Sequence, residues 1–423
     1  MSDTTDSAAL RPSVPRLVLT VLAPFALGYI MSYLYRSVNA VVAPNLVQDI
    51  GLTAGELGLL TSAYLFAFGL FQLPLGLLLD RYGPRRVQAG VFCVAAAGSL
   101  LFAYGDSAIV LTIARAMIGL GFAGGLMSGF KAVVIWFPPE RRALANGCIM
   151  SLGGLGLLIA TVPTEIAVQA VGWRWVFGGL TGVTLAVALL IFTVVPEKAS
   201  DQPVQPFSRQ IDGLASIFAN KVFWRMTPFL AATAGSHIAI QTLWAGPWFR
   251  DVAGFDRDGV ALHLGMVALC FVVGIFGGGV VTDYFGRRGV GTLTVMTWIL
   301  IAYMASLLAI IFEVMHPLAF YPAWIVFGMT GQLSILAFVW LASFYGPELS
   351  GRATTATNLI IFLTAFAIQS AIGGIIDQFP ATATGGYDPQ AYQVSFSIVL
   401  AIQVTAFIWF ITKVPRLPEN AGR

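Results

Sequence analysis

Apolar runs long enough to cross a bilayer dominate this chain, each closed off by a charged or Gly/Pro-rich break. Away from water such a run satisfies its backbone as a helix, which pairs its internal N–H and C=O groups within one segment. The runs lie at 17–43, 55–79, 88–104, 109–136, 145–168, 175–195, 223–246, 258–282, 290–312, 319–344, 354–376 and 392–412. Strands of a membrane barrel alternate apolar and polar residues, whereas 18–35 and 88–104 are continuously apolar. With 57% hydrophobic and 10% charged residues, the chain is neither a water-soluble domain nor a disordered one. The expected fold class is an all-α membrane protein with twelve transmembrane helices. Its 45 glycines suit that class, because glycine lets helix backbones approach closely in a membrane.

The longest polar segment, 196–222, holds Pro203 and Pro206 and then places Ile211, Leu214, Ile217 and Phe218 on one helical side. It reads as a linker with an interfacial helix, which divides the chain into 1–196, a linker at 197–222 and 223–423. An even number of spans puts both termini on one side. That side collects 17 of the 23 Lys and Arg residues, and the opposite loops hold only Arg174, Arg250 and Arg257. The excess predicts cytoplasmic termini, and the compact loops and short tails suit a bacterial inner membrane. The first apolar run is too long for a signal peptide and is expected to stay as the first span. Cys93, Cys148 and Cys270 are scattered through apolar runs, so neither a disulfide framework nor a metal cluster is expected.

The chain repeats itself at an offset of 203 residues. Gly76-Leu-Leu-Leu-Asp80-Arg81-Tyr82-Gly83-Pro84-Arg85-Arg86 follows the second run, and Gly279-Val-Val-Thr-Asp283-Tyr284-Phe285-Gly286-Arg287-Arg288 follows the eighth. In the same register Pro44 falls on Pro247 and Gly51 on Gly254. The G-x-x-x-D-R-x-G-x-R-R loop resembles the signature of the major facilitator superfamily, and the resemblance covers essentially the whole chain. It implies two six-helix bundles related by an axis along the membrane normal, with a substrate site between them. Within that superfamily, Tyr33 to Arg36, Asn39 and Pro44 are similar to the anion:cation symporter group, as is Gln72-Leu-Pro74-Leu-Gly76. Arg115-Ala-Met-Ile-Gly119-Leu-Gly121, Trp136-Phe-Pro138 and Gly172-Trp-Arg174 extend that likeness.

Three cations fall inside spans. Arg36 lies beyond the middle of the first run, where a lipid-facing charge costs at least ~2.5 kcal/mol. Either it is a structural arginine, tied to carbonyls near Pro44 or stacked on Tyr33 or Tyr35, or its planar fork binds a carboxylate, phosphate or sulfonate. The resemblance implies the second role. Arg115 is a helix-to-helix donor or, as the resemblance implies, a residue of substrate and proton coupling. Lys131 either snorkels to the nearby polar face or joins them in an anion trap. Tyr33, Tyr35, Tyr64, Trp244, Gln241, Gln332 and Gln369 are candidates to line the site or to hold helices together. The group's usual acids are replaced here by Tyr35 and Phe122, which leaves Glu165 and His237 as coupling candidates or as packing residues. Proton symport, uniport and anion exchange are all open.

The loop residues Gly76, Asp80, Arg81, Gly83, Arg86, Asp283 and Arg287 are of another kind. The resemblance implies a latch on the cytoplasmic gate, with topology and stability as their simpler role. No H-E-x-x-H or phosphate-binding loop is present, and His237, His263 and His316 have no ligand spacing, so an enzyme is not expected. Nor is a metal, a cofactor or a nucleic-acid partner. The expectation is a monomeric secondary active transporter in a lipid bilayer, importing a small organic anion by alternating access, with a coupling proton as an option. An efflux carrier of a drug-like or siderophore-like solute and a non-transporting substrate sensor are the alternatives.

Overall fold

The computed structural model describes residues 14–197, 207–312, 317–382 and 385–414. Ten of its helices are long and apolar enough to cross a membrane. One of them, Ala54–Tyr104, is two spans: Gly83 interrupts it at φ 75° and ψ 163°, a conformation open to glycine and strained for other residues. The seventh span is assembled from Lys221–Ala239, a π-turn at Ile240–Trp244 and Ala245–Asp251. These additions give the twelve spans expected.

The first span runs through Ala23–Ser37 and Asn39–Ile50, the fourth through Ala108–Phe122 and Gly125–Trp136, and the fifth through Pro139–Ile159 and Val162–Val171. Trp173–Val194 is the sixth, Arg257–Gly286 the eighth and Thr292–Phe312 the ninth. The tenth begins as Pro317–Thr330, passes through a 3-10 turn at Leu333–Ile335 and continues into Leu336–Ile376. That last helix breaks at Gly346, where the eleventh span starts, and Pro389–Ile411 is the twelfth. The second and eighth spans begin one residue and the twelfth three residues before their apolar runs, where caps outside the apolar stretch hold their ends. Thr53 and Glu56 form a reciprocal capping box at the second span, and Asp256 and Asp388 cap the eighth and twelfth.

Backbone contact at glycine fixes the packing within each bundle. A Cβ on Gly119 would meet the Tyr64 backbone, and one on Gly156 the Ile30 backbone. Gly274 stands against Met329 in the same way in the second bundle. Between the bundles the second span packs along the eleventh, the fifth along the eighth, and the first against the seventh. The internal repeat reappears in the backbone, where Gly51 and Gly254 have φ of 75° and 73°. Large apolar side chains such as Ile113, Leu189 and Val273 cover the outside. Tyr104 and Trp175 are exposed at one rim and Trp224 and Trp409 at the other, an aromatic belt at each edge of the apolar band.

The interfacial helix is Phe207–Ala219. Its Ile217 is fully buried with Phe223, Ala353 and Ala356, and Leu214 and Phe218 pack around them, so the helix sits on the ends of the seventh and eleventh spans. That end of the molecule is called the linker face below, and the opposite end the far face. Residues 198–206 of the expected linker and both chain ends, 1–13 and 415–423, lie outside the described residues.

Candidate functional site

Arg36 occupies the last turn of the first span's opening helix, just before that helix is interrupted at Val38. It is 9% exposed, makes no ion pair among the described residues, and its Nε has no hydrogen-bond partner. Three aromatic rings surround its guanidinium. Tyr33, one turn earlier on the same face, lies 4.8 Å away, Phe68 of the second span 4.9 Å and Phe362 of the eleventh 5.1 Å. The cation therefore lies between the bundles among ring faces and the Tyr64 hydroxyl, with no carboxylate paired to it among the described residues. Beside it Asn39 donates to Thr61 at 3.0 Å, and its own Oδ1 is unsatisfied.

Arg115 is fully buried deeper in the first bundle. Its Nη1 donates to the carbonyl of Tyr35 at 2.8 Å, its Nε and Nη2 are unpartnered, and its guanidinium lies 5.1 Å from the Tyr64 ring. Tyr64 in turn stacks on Phe68, so the two arginines face each other across an aromatic wall. Tyr35 points away from Arg36 into the bundle core, where its hydroxyl donates to Ser99 at 2.8 Å and contacts Thr184 at 3.2 Å. Its ring packs on Phe122 with centroids 4.8 Å apart. The two positions at which the resembling group carries acids are thus one aromatic contact.

A line of rings leads from Arg36 to the second bundle. Tyr33 meets Phe271 of the eighth span at 5.8 Å, and Phe271 stacks on His237 at 6.1 Å and 12°. His237 is fully buried, both ring nitrogens lack a partner, and the ring packs against Gly331, next to Gln332 at the break of the tenth span. Gln241, one turn on, has an unsatisfied Nε2. The Gln369 amide nitrogen is engaged: it donates to the Ala239 carbonyl at 3.1 Å and to Thr242 at 3.0 Å, while the backbone carbonyl of Gln369 accepts from Trp244 at 3.0 Å and its side-chain Oε1 is without a partner. It ties the eleventh span to the π-turn of the seventh.

The two ends of the molecule differ. At the linker face Lys131 is ion-paired with Asp80, and Arg86 meets Glu197 at 2.6 Å, both within the first bundle. Arg81 is exposed over Tyr82, and Gly76, Asp283 and Arg287 are exposed as well. At the far face the bundles are bonded to each other. Asp377, at the end of the eleventh span, accepts from Thr53 Oγ1 at 2.9 Å and from the amides of Ala54 and Gly55 at 2.8 Å each. It caps the second span from across the interface. Glu165 is buried and meets Arg257 at 3.0 Å, Arg257 also reaches Asn45 at 2.8 Å, and Gln169 donates to Asp258 at 2.9 Å. A cavity of about 40 Å³ beside Glu165 is bounded by Pro44, Pro247 and Arg257 and does not include Arg36.

The structure therefore brings Arg36 and Tyr33 together between the bundles, with Arg115 and Tyr64 behind them and His237 and Gln241 across from them. It places Lys131 with the loop residues and Glu165 at the far face. The model of the Major Facilitator Superfamily matches residues 25–369. The chain belongs to that superfamily. Two superfamily structures with the same fold are a bacterial homologue of the human lysosomal transporter Spinster in an inward-facing, occupied conformation and the D-xylose-proton symporter. The first has a TM-score of 0.73 at 18% identity, covering 95% of this chain and 97% of that one. The second has 0.73 at 15%, covering 96% and 99%.

Among curated superfamily members the chain is 28% identical to the "Probable sulfoacetate transporter SauU" of Cupriavidus necator, over 63% of its own length and 65% of the relative's. It is 26% identical to the hexuronate transporter of Escherichia coli, over 63% and 65%. It is 23% identical to the "Probable L-galactonate transporter" of that species, over 93% and 88%. The matches to the first two span just under two thirds of those proteins. These relatives agree with the likeness to the anion:cation symporter group.

Sequence reasoning missed Phe68, Phe362 and Phe271 because aromatics make up 13% of the chain and nothing local marks those that meet a cation. Nothing in the local sequence around Asp377 or Arg257 marks a partner in the other bundle, although the Thr53-x-x-Glu56 spacing is a helix-start signal beside the far-face contact.

Proposed function

We propose that this superfamily member is a secondary carrier of small organic anions, with its site between the bundles and Arg36 as the anchor. The observation that carries this reading is a buried, unpaired guanidinium faced by rings of both bundles. A carboxylate or sulfonate bound there gains a planar, charge-assisted contact that the empty site lacks. Arg115, also short of partners, adds positive potential from behind Tyr64. The organic acids in the relatives' names support the same solute class.

The carrier rocks between states open to either side. The excess of basic residues at the linker face supports a cytoplasmic linker and cytoplasmic termini in a bacterial inner membrane, and import is the favoured direction. With the far face bonded shut, the described conformation is the one that releases solute at the linker face. Asp377, Glu165 and Arg257 then form the outer gate. Asp80, Arg81, Arg86 and the second-copy residues Asp283 and Arg287 form the inner one, with Lys131 holding Asp80 while that gate is open. The bundles divide at the linker, 197–222, and the monomer is the working unit.

The test is a thermal-stabilisation screen of the purified protein and of Arg36→Ala against sulfoacetate, galactonate, hexuronates, organic cations and neutral sugars. A ligand at a hundredfold excess over Kd stabilises the folded state by about 2.7 kcal/mol. Stabilisation by organic anions that vanishes in Arg36→Ala is the expected result. Stabilisation by cations or sugars, or equal stabilisation of both proteins by the anions, overturns it.

A further inference from the structure

We infer that transport proceeds as exchange of one anion for another, not as cation-coupled symport; this rests on the anion-carrier reading above. The titratable groups facing Arg36 are Tyr29, Tyr33 and Tyr64, and those facing Arg115 are Tyr35 and Tyr64. From the other bundle Arg36 meets Phe362, while His237 is screened from it by Phe271 and Tyr33. No carboxylate pairs with either arginine among the described residues. The third intramembrane cation, Lys131, is already balanced by Asp80. Glu165 is committed to Arg257 at the far face.

Every carrier must pass through a state closed at both ends, in which its site is cut off from water. Where an acid stands beside the arginine, the empty site closes on an internal ion pair, and protonation of that acid makes room for the substrate. Here the two positions carry Tyr35 and Phe122, whose rings pack on each other in the core of the first bundle and offer the arginines no carboxylate. The empty site would close on two uncompensated guanidinium groups, and burying an unpaired charge is strongly unfavourable. Ring faces offset only a small part of that cost. A bound anion supplies the missing negative charge. The loaded carrier therefore crosses in either direction, the empty one is held back, and net movement requires an anion on each side.

The experiment reconstitutes the full chain into liposomes and follows uptake of the radiolabelled anion that gives the largest stabilisation in the screen. Vesicles are either empty or preloaded with the same unlabelled anion, with and without an acid-outside pH gradient. Preloading is expected to speed uptake by at least about tenfold, equivalent to some 1.4 kcal/mol of barrier, with no response to the gradient. Phe122→Glu, which returns an acid against the Tyr35 ring, is expected to make uptake into empty vesicles respond to acidification outside.

Accumulation in empty wild-type vesicles on acidification overturns exchange and leaves anion transport standing. Equal uptake into empty and loaded vesicles overturns exchange in favour of uniport. Failure of every anion to stabilise the protein in the screen overturns the anion-carrier reading and exchange with it.

Discussion

At Arg36 the shape of the cation matters as much as its charge. A guanidinium stacks on ring faces and still presents donors in its plane, whereas an ammonium ion is a point charge that demands its own hydration. Arg36→Lys is therefore expected to fold, to keep the site's charge, and to weaken anion binding by roughly tenfold or more, read as the concentration needed for half-maximal thermal stabilisation. An unchanged concentration dependence would remove the fork from recognition. The sequence singled out Arg36 and Tyr33 because a charge in an apolar run needs a reason. It was silent on Phe68 and Phe362, since the rings that meet a cation are chosen by helix packing and not by local pattern.

Among the helices, the breaks carry the polar chemistry. The first, fourth, fifth, seventh and tenth spans are interrupted, and two glutamines serve the backbone freed at such breaks. Gln72 donates to the Ala123 carbonyl at 3.1 Å where the fourth span breaks, and Gln369 serves the Ala239 carbonyl at the π-turn of the seventh. Gln369→Leu leaves that carbonyl without its partner, at a cost of about 1–3 kcal/mol. It should lower the melting temperature in detergent while leaving anion affinity unchanged; a loss of affinity without a loss of stability would instead make Gln369 a ligand. Gly83 sits where the chain leaves the second span for the third. Gly83→Ala should cost about 1–3 kcal/mol of backbone strain, detectable as a lower melting temperature, whereas an unshifted melting curve would show that this break relaxes freely.

For the whole molecule, the far-face bonds tie the two bundles together at one end. A carboxylate capping a helix belonging to the other bundle exists only while that face is closed, and hydrogen bonds to a charged acceptor contribute about 1.5–3 kcal/mol each. Asp377→Ala should shift the population toward the far-open state by roughly tenfold or more. In a background without native cysteines, a cysteine at Ser62, which contacts Ser370 at 2.7 Å across the interface, should then react faster with a membrane-impermeant thiol reagent added from the far side. Unchanged labelling would show that the other cross-bundle contacts suffice. Asp80→Asn, at the proposed inner gate, should slow turnover more than it weakens binding, measured as uptake rate against anion-induced stabilisation. Equal losses in both would place Asp80 in the fold and not in the gate.

The twelve spans, their repeat and the linker helix were legible in the sequence because the exclusion of water turns hydropathy and glycine placement into backbone geometry. The intramembrane cations were legible for the same reason, since a charge among apolar residues is costly wherever it points. Partners were not. That Lys131 belongs to Asp80, Glu165 to Arg257, Tyr35 to Phe122 and Asp377 to the start of the second span depended on which helices meet within and between the bundles. Those meetings join residues up to 324 positions apart, and only the packed tertiary structure sets them.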